Sequence, residues 1–122
     1  MTASDLRQFA DGRVLVFEGA LGTMLQEAVP GHLVPELLNA EHADAVVTVH
    51  RAYAPLSDVI CTNTFGGSSL KLSSVGLAGR ARELNARGAE LARRAAGPET
   101  LVAGDVGPTG RLVEPLGDLS FW

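Results

Sequence analysis

Apolar residues occur along this chain in three short unbroken runs, separated by long stretches in which they recur at helical spacing. Val14, Leu15, Val16 and Phe17 are apolar at every position, and Val59 to Thr62 and Leu101 to Gly104 read the same way. A run without polar alternation suits a strand covered on both faces. Between the first two runs, Pro35 to Tyr53 places Leu37, Leu38, Val46, Val49, His50 and Tyr53 roughly on one helical face. Asn39 is the expected N-cap of that helix, with Glu41 and Asp44 near the positive end of its dipole and Pro55 ending it. Between the second and third runs, Arg80 to Ala96 sets Ala81, Leu84, Gly88, Leu91 and Ala95 on one face and arginines on the other. Gly97-Pro98 stops this second helix.

The order β, α, β, α, β predicts an α/β fold of parallel strands joined by right-handed crossovers. On pattern alone, a (β/α)8 barrel and an open doubly wound sheet both fit. In both, ligands bind beyond the carboxyl ends of the strands. All three runs end in polar residues with glycine close behind: Glu18 then Gly19, Thr62 to Thr64 then Gly66, and Asp105 then Gly107. Glycine lets the backbone turn sharply and approach a ligand closely. A strand that merely surfaces would also end in polar residues, but three such ends on one side favour a binding site.

Composition narrows the classes. With 122 residues, 46% of them hydrophobic, the chain can build one domain with a modest core. The net charge of −4 argues against nonspecific binding to nucleic acid or acidic membrane. The densest basic cluster, Arg80, Arg82, Arg87, Arg93 and Arg94, spreads along one predicted helix and reads as a solvated face. A single cysteine, Cys61, permits no intrachain disulfide and no multi-thiolate zinc site. No stretch approaches the ~20 apolar residues of a membrane span, and the N-terminus lacks a signal pattern. The expectation is a cytoplasmic protein.

Single motifs carry less. "GALGT" lacks the lysine of a phosphate loop and is not G-x-G-x-x-G. The carboxylate before it would repel phosphate and attract an amine, which points to an amino-acid-like ligand. Strand alternation turns Cys61 toward the helices if Thr62 points the other way, so a buried structural thiol is expected. His32, His42 and His50 form no H-E-x-x-H pattern and read as surface or helix-packing residues.

Taken together, "FEGALGTMLQ", "LLNAEHADAVVTVHRAY", "DVICTNTFGGSSLKL" and "VAGDVGPTGRLVEPLGDLSF" resemble the homocysteine S-methyltransferase family, most closely its cobalamin-dependent methionine synthase branch. The resemblance runs from about Val14 to Trp122. It implies that residues 1–122 are a partial homocysteine-binding domain: the N-terminal portion, about three β/α units, of a (β/α)8 TIM barrel, stopping before the zinc-ligand cysteines. It implies substrate contacts at Glu18, Gly19, Thr62, Asn63, Thr64 and Phe65. Glu18 stands where the family has an aspartate that helps hold the homocysteine ammonium, Gly19 beside it lies against the substrate, and Thr62 contacts the amino-acid end. Gly107, Pro108 and Thr109 match the loop after the third strand. Two departures stand out: Glu18 is one methylene longer than aspartate, and "APLS" replaces a glycine-containing turn before Asp58.

The family transfers a methyl group to the zinc-bound thiol of homocysteine, giving methionine. The zinc cysteines lie late in the barrel, so the resemblance assigns no catalytic and no metal residue to this chain. Expected partners are homocysteine, the remainder of the barrel and a module carrying methylcobalamin as donor, with no nucleic acid and no membrane. The isolated chain is expected to be inactive. A noncatalytic amino-acid-binding or self-associating partial barrel is the alternative, and an unrelated phosphate-binding α/β enzyme is a third reading.

Overall fold

A computed structural model describes residues 1–121 of the chain; Trp122, the last residue of the family resemblance, lies outside the described residues. The elements in order are helix α1 (Ala3–Ala10), helix α2 (Leu21–Ala28), helix α3 (Leu38–Glu41), helix α4 (Ala43–Tyr53), strand β1 (Val59–Cys61), helix α5 (Ser69–Ser73), helix α6 (Ala81–Ala95) and strand β2 (Leu101–Ala103). Short 3-10 turns precede α3, follow α4 and lead into α6.

The two strands pair in parallel, Val59 opposite Leu101, Ile60 opposite Val102 and Cys61 opposite Ala103. A parallel pair needs a long crossover, and α6 supplies it. The predicted helix Arg80 to Ala96 thus stands, with Leu84, Gly88, Leu91 and Ala92 as its buried stripe. Gly88 is required there: a Cβ at this position would lie 2.8 Å from Thr64 Cγ2 and 2.9 Å from Asn39 Nδ2.

Helices α2, α4 and α6 form one layer. Leu25, Leu38, Val46, Val47, Val49 and Leu91 make its main core, and Ile60 joins Ala54 and Ala92 where the strands meet the helices. Because Ile60 takes the helix-facing position, strand alternation turns Cys61 to the opposite face, where it is half-buried. The expected orientation of Cys61 toward the helices is therefore reversed.

The first predicted strand is the largest departure. Val14 to Phe17 was expected to be buried on both faces, yet Val14 is 86%, Val16 51% and Phe17 54% exposed. Pairing is reduced to one parallel bridge, Phe17 to Val59, flanked by hydrogen bonds from Asp58 N and Val59 N to Val16 O and from Glu18 N to Val59 O. The physical reason is twofold. Nothing among the described residues pairs with its outer edge, and the Asp58 carboxylate accepts the Val16 N–H at 2.9 Å while also holding Arg13. A side chain thus occupies a donor that would otherwise serve a backbone ladder.

The predicted helix over Pro35 to Tyr53 is broken into a 3-10 turn, α3 and α4, with His42 at the break (φ −136°, ψ 48°). Asn39 is not an N-cap: it lies inside α3, 1% exposed, and its amide is spent on tertiary bonds. Among the described residues, no helix is long and apolar enough to cross a membrane.

The exposed apolar edge at Val14, Val16 and Phe17 generates a prediction. An unpaired edge bearing apolar side chains invites association. Size-exclusion chromatography of the chain is expected to show species larger than a monomer. Val16→Lys with Phe17→Lys is expected to shift elution toward the monomer; a wild-type monomer would show that this edge does not drive association.

Candidate functional site

Beyond the carboxyl end of β1 the chain buries three polar residues in succession. Thr62 is 3%, Asn63 5% and Thr64 9% exposed. Buried polar groups are costly unless bonded, so each must find partners. Thr62 Oγ1 accepts the Asp105 N–H at 3.0 Å, and Thr64 Oγ1 donates to the Asp105 carbonyl at 2.8 Å. The two hydroxyls lie 2.5 Å apart. Since Thr64 commits its one proton to Asp105, Thr62 is the donor between them. The two threonines therefore clamp the backbone of Asp105, beyond β2, from both sides.

Asn63 points the other way. Its Nδ2 donates to Pro35 O at 2.7 Å and to Asn39 Oδ1 at 2.9 Å. Asn39 Nδ2 in turn donates to Asn63 O at 2.8 Å and Leu84 O at 3.1 Å. This pair of asparagines ties the loop to α3 and α6. Glu36, itself 5% exposed, accepts the Gly66 N–H at 2.6 Å and fixes the next turn. Gly107 N donates to Phe65 O at 3.0 Å, an approach so close that a Cβ on Gly107 would fall 2.4 Å from that oxygen.

These anchored segments line a cleft of about 590 Å3. Of the residues expected at the site, Gly19, Thr62, Asn63, Thr64 and Phe65 are brought together on its wall. Phe65, 58% exposed, is the large aromatic at its mouth. Glu36, Lys71 and Asp105 also line it, with Leu33, Val34, Leu72 and Val75 as apolar wall. A neighbouring cleft of about 320 Å3 shares Thr62, Thr64, Phe65 and Asp105 and reaches Asn85 and Gly107. Pro108 and Thr109 line neither cleft.

Glu18 is placed differently. Its side chain is 2% exposed and is not part of either cleft wall. Oε1 accepts the Cys61 N–H at 2.6 Å, and Oε2 lies 3.3 Å from His50 Nδ1. The His50 side chain is fully buried, and its Nε2 has no partner. A proton on Nδ1 serves the carboxylate and leaves only a lone pair at Nε2, a smaller penalty than a buried N–H without acceptor. His50 thus packs within the helix layer, as expected, but it also braces the end of the first strand.

Cys61 sits between two carboxylates. Burial, then the nearby charges of Glu18 and Asp105, push its thiol above the ordinary range, so it stays protonated at neutral pH. Among the described residues, no group of three or more His, Cys, Asp or Glu side chains converges to hold a metal ion.

Sequence reading missed Glu36, Asn39 and Lys71 as parts of the site. Glu36 and Asn39 lie on what looked like one continuous amphipathic helix; Asn39 fell within a block of the resemblance but was read as a cap, and no local pattern marks Glu36. Asp105 was visible as a strand-end carboxylate on the expected ligand side, and the cleft wall includes it.

Comparison with known proteins gives a consistent picture. The family model described as homocysteine S-methyltransferase matches residues 15–121. The chain is 34% identical to methionine synthases of Mycobacterium leprae and Mycobacterium tuberculosis, over 89% of its own length. It spans only 10% of the length of either protein. Its fold is similar to that of the homocysteine methyltransferase MmuM from Escherichia coli in its metallated form, with a TM-score of 0.69 and 26% identity. That likeness covers 86% of this chain and 42% of MmuM.

Two outcomes follow from the site geometry. Asn39→Ala removes the donor to two buried carbonyls and is expected to cost about 1–3 kcal/mol in denaturant unfolding. An unchanged midpoint would show that the asparagine pair does not hold the loop. Iodoacetamide is expected to alkylate Cys61 at neutral pH more slowly than it alkylates the denatured chain. Asp105→Asn, which removes one of the two charges that raise the thiol, is expected to accelerate the reaction, and an unaltered rate would deny that influence.

Proposed function

The chain belongs to the homocysteine S-methyltransferase family, and we propose that it acts as a noncatalytic amino-acid-binding module that supplies part of the homocysteine pocket of such an enzyme. One observation carries this reading: the carboxyl ends of successive parallel segments gather on one cleft, the first through Gly19 and the other two through the polar residues Thr62 to Thr64 and Asp105. Fixed polar groups beside an apolar wall suit a small zwitterion with an aliphatic tail. On this reading residues 1–122 are a partial homocysteine-binding domain, and Gly19, Thr62, Asn63, Thr64 and Phe65 form the surface against which the amino acid lies. Glu18 belongs to the site from behind, beneath Gly19.

The wider architecture proposed is the N-terminal portion, about three β/α units, of a (β/α)8 barrel. It is supported by the parallel order of the Phe17 bridge, β1 and β2, by the single helix layer, and by the likeness to 42% of MmuM. The remainder of the barrel would be the partner of the open strand edge, and a cobalamin-carrying module the partner of the methionine synthase branch.

Zinc, which the family implies, does not fit the residues present. Cys61 is the only thiol, it is held protonated, and no three donor side chains converge around it or around His50 among the described residues. Metal ligands would have to come from outside this segment. What the segment can contribute is orientation: holding the amino-acid end of the substrate fixes where its sulfur lies, the proximity contribution to rate.

Calorimetric titration of the chain with L-homocysteine is expected to show weak, saturable binding. With methylcobalamin added, mass spectrometry is expected to detect no methionine. Absence of saturable binding would overturn the amino-acid reading, and methionine formation would overturn the noncatalytic one.

A further inference from the structure

The turn between α1 and the first apolar run carries a reactive arrangement that the cleft does not use. Asp11 closes α1 and Gly12 follows it, ahead of the residues that match the family. Both are exposed. Gly12 has a φ of 67°, in the left-handed region that favours glycine, and a Cβ there would meet nothing within 4 Å. The Asp11 N–H donates to Gln8 O and the Arg13 N–H to Ala10 O. Among the described residues, neither the Gly12 N–H nor the Asp11 carboxylate has a partner. A carboxyl carbon and an unengaged amide nitrogen are thus neighbours in the chain, with no side chain to crowd their approach.

The other aspartates differ. Asp5 accepts the Thr2 N–H, Asp44 faces Arg94, Asp58 holds Arg13 and the Val16 N–H, and Asp118 holds Arg111. Asp105 is clamped through its backbone and followed by Val106, whose branched side chain crowds the same approach. No aspartate or asparagine other than Asp11 precedes a glycine.

We propose that Asp11 is a site of spontaneous succinimide formation and isoaspartate exchange. The Gly12 nitrogen attacks Cγ of the protonated Asp11 carboxyl. A C–N bond forms, the Cγ–OH bond breaks, and one water leaves with the amide proton. Solvent water then adds to either carbonyl of the ring and breaks one of its C–N bonds. Breaking the bond at Cγ restores aspartate. Breaking the bond at the backbone carbonyl leaves an isoaspartyl link, in which the main chain runs through Cβ and Cγ. Water is the only co-reactant, and nothing is oxidised or reduced. The extended ψ of Asp11, 124°, must rotate before the nitrogen reaches Cγ, and exposure together with the missing Cβ at Gly12 leaves the turn free to do so.

The new link adds one methylene to the chain just ahead of Arg13. Helix α1 buries no residue, and Arg13 ties it to the rest of the fold. The guanidinium pairs with Asp58 and lies 4.5 Å from the centroid of the Phe9 ring. Lengthening the joint displaces Phe9 from Arg13 and loosens α1.

The test ages the native chain in neutral buffer at physiological temperature and digests it with trypsin. Cleavage after Arg7 and Arg13 isolates residues 8–13, and electron-transfer fragmentation distinguishes isoaspartyl from aspartyl linkage. Isoaspartate is expected to accumulate in this peptide and not in those carrying Asp44, Asp58, Asp105 or Asp118. Asp11→Glu, which would need a six-membered ring, is expected to abolish the product. Asp11→Asn, which releases ammonia in place of water, is expected to accelerate it. Circular dichroism checks that both variants remain folded. An all-aspartyl peptide from the aged native chain would overturn the assignment, as would isoaspartate appearing equally at the other aspartates. Brief-pulse hydrogen exchange over residues 3–10 is expected to be faster in the isomerised fraction, and equal exchange would overturn the loosening of α1.

Discussion

Three consecutive buried polar residues, Thr62, Asn63 and Thr64, impose the constraint on which the site depends. A chain leaving a short strand normally satisfies such groups with water. Here they lie inside the molecule, so their partners must come from neighbouring segments. The threonines take the backbone of Asp105, and the asparagine takes Asn39 and Pro35 O. One loop thereby fixes the β2 loop on one side and α3 on the other. The tight fits at Gly88 and Gly107 are consequences, since both positions face this loop at distances that admit no Cβ.

The same anchoring divides labour between the two faces of the strands. Ile60 and Val102 face the helix layer and contribute to its core. Cys61 faces away, flanked by the charges of Glu18 and Asp105. A protonated thiol between two carboxylates avoids a third negative charge in a confined space. The two acids are nevertheless unlike. Both oxygens of Glu18 are engaged, by an amide donor and an imidazole, whereas among the described residues Asp105 is held through its backbone. The Glu18 side chain is long enough to reach both the Cys61 amide and His50.

Family membership and the open edge of the sheet bear on each other. Parallel α/β folds bury strands on both faces, yet Val14, Val16 and Phe17 are largely exposed. The segment spans a small fraction of the methionine synthases it is similar to. Continuous apolar composition in the first run is what a strand inside a larger sheet would carry, and in the described residues that composition has no cover.

The sequence by itself determined the α/β class, the positions of the second and third strands, the stripe of α6 and the family, because these follow from local periodicity and from blocks of residues in fixed order. It also marked Thr62 to Phe65 and Gly19 as wall residues. Only the tertiary structure decided the fate of the first strand, because strand formation depends on partners, and Asp58 competes for the Val16 N–H. Only the tertiary structure broke the helix over Pro35 to Tyr53 and turned Asn39 from a supposed cap into a buried crosslink, because its partners, Asn63 and Leu84, lie far along the chain. The same holds for the two acids at the strand ends. Sequence places both Glu18 and Asp105 where a ligand could meet them, but which carboxylate is already satisfied depends on His50 and the Cys61 amide, which only folding brings within hydrogen-bond reach of Glu18.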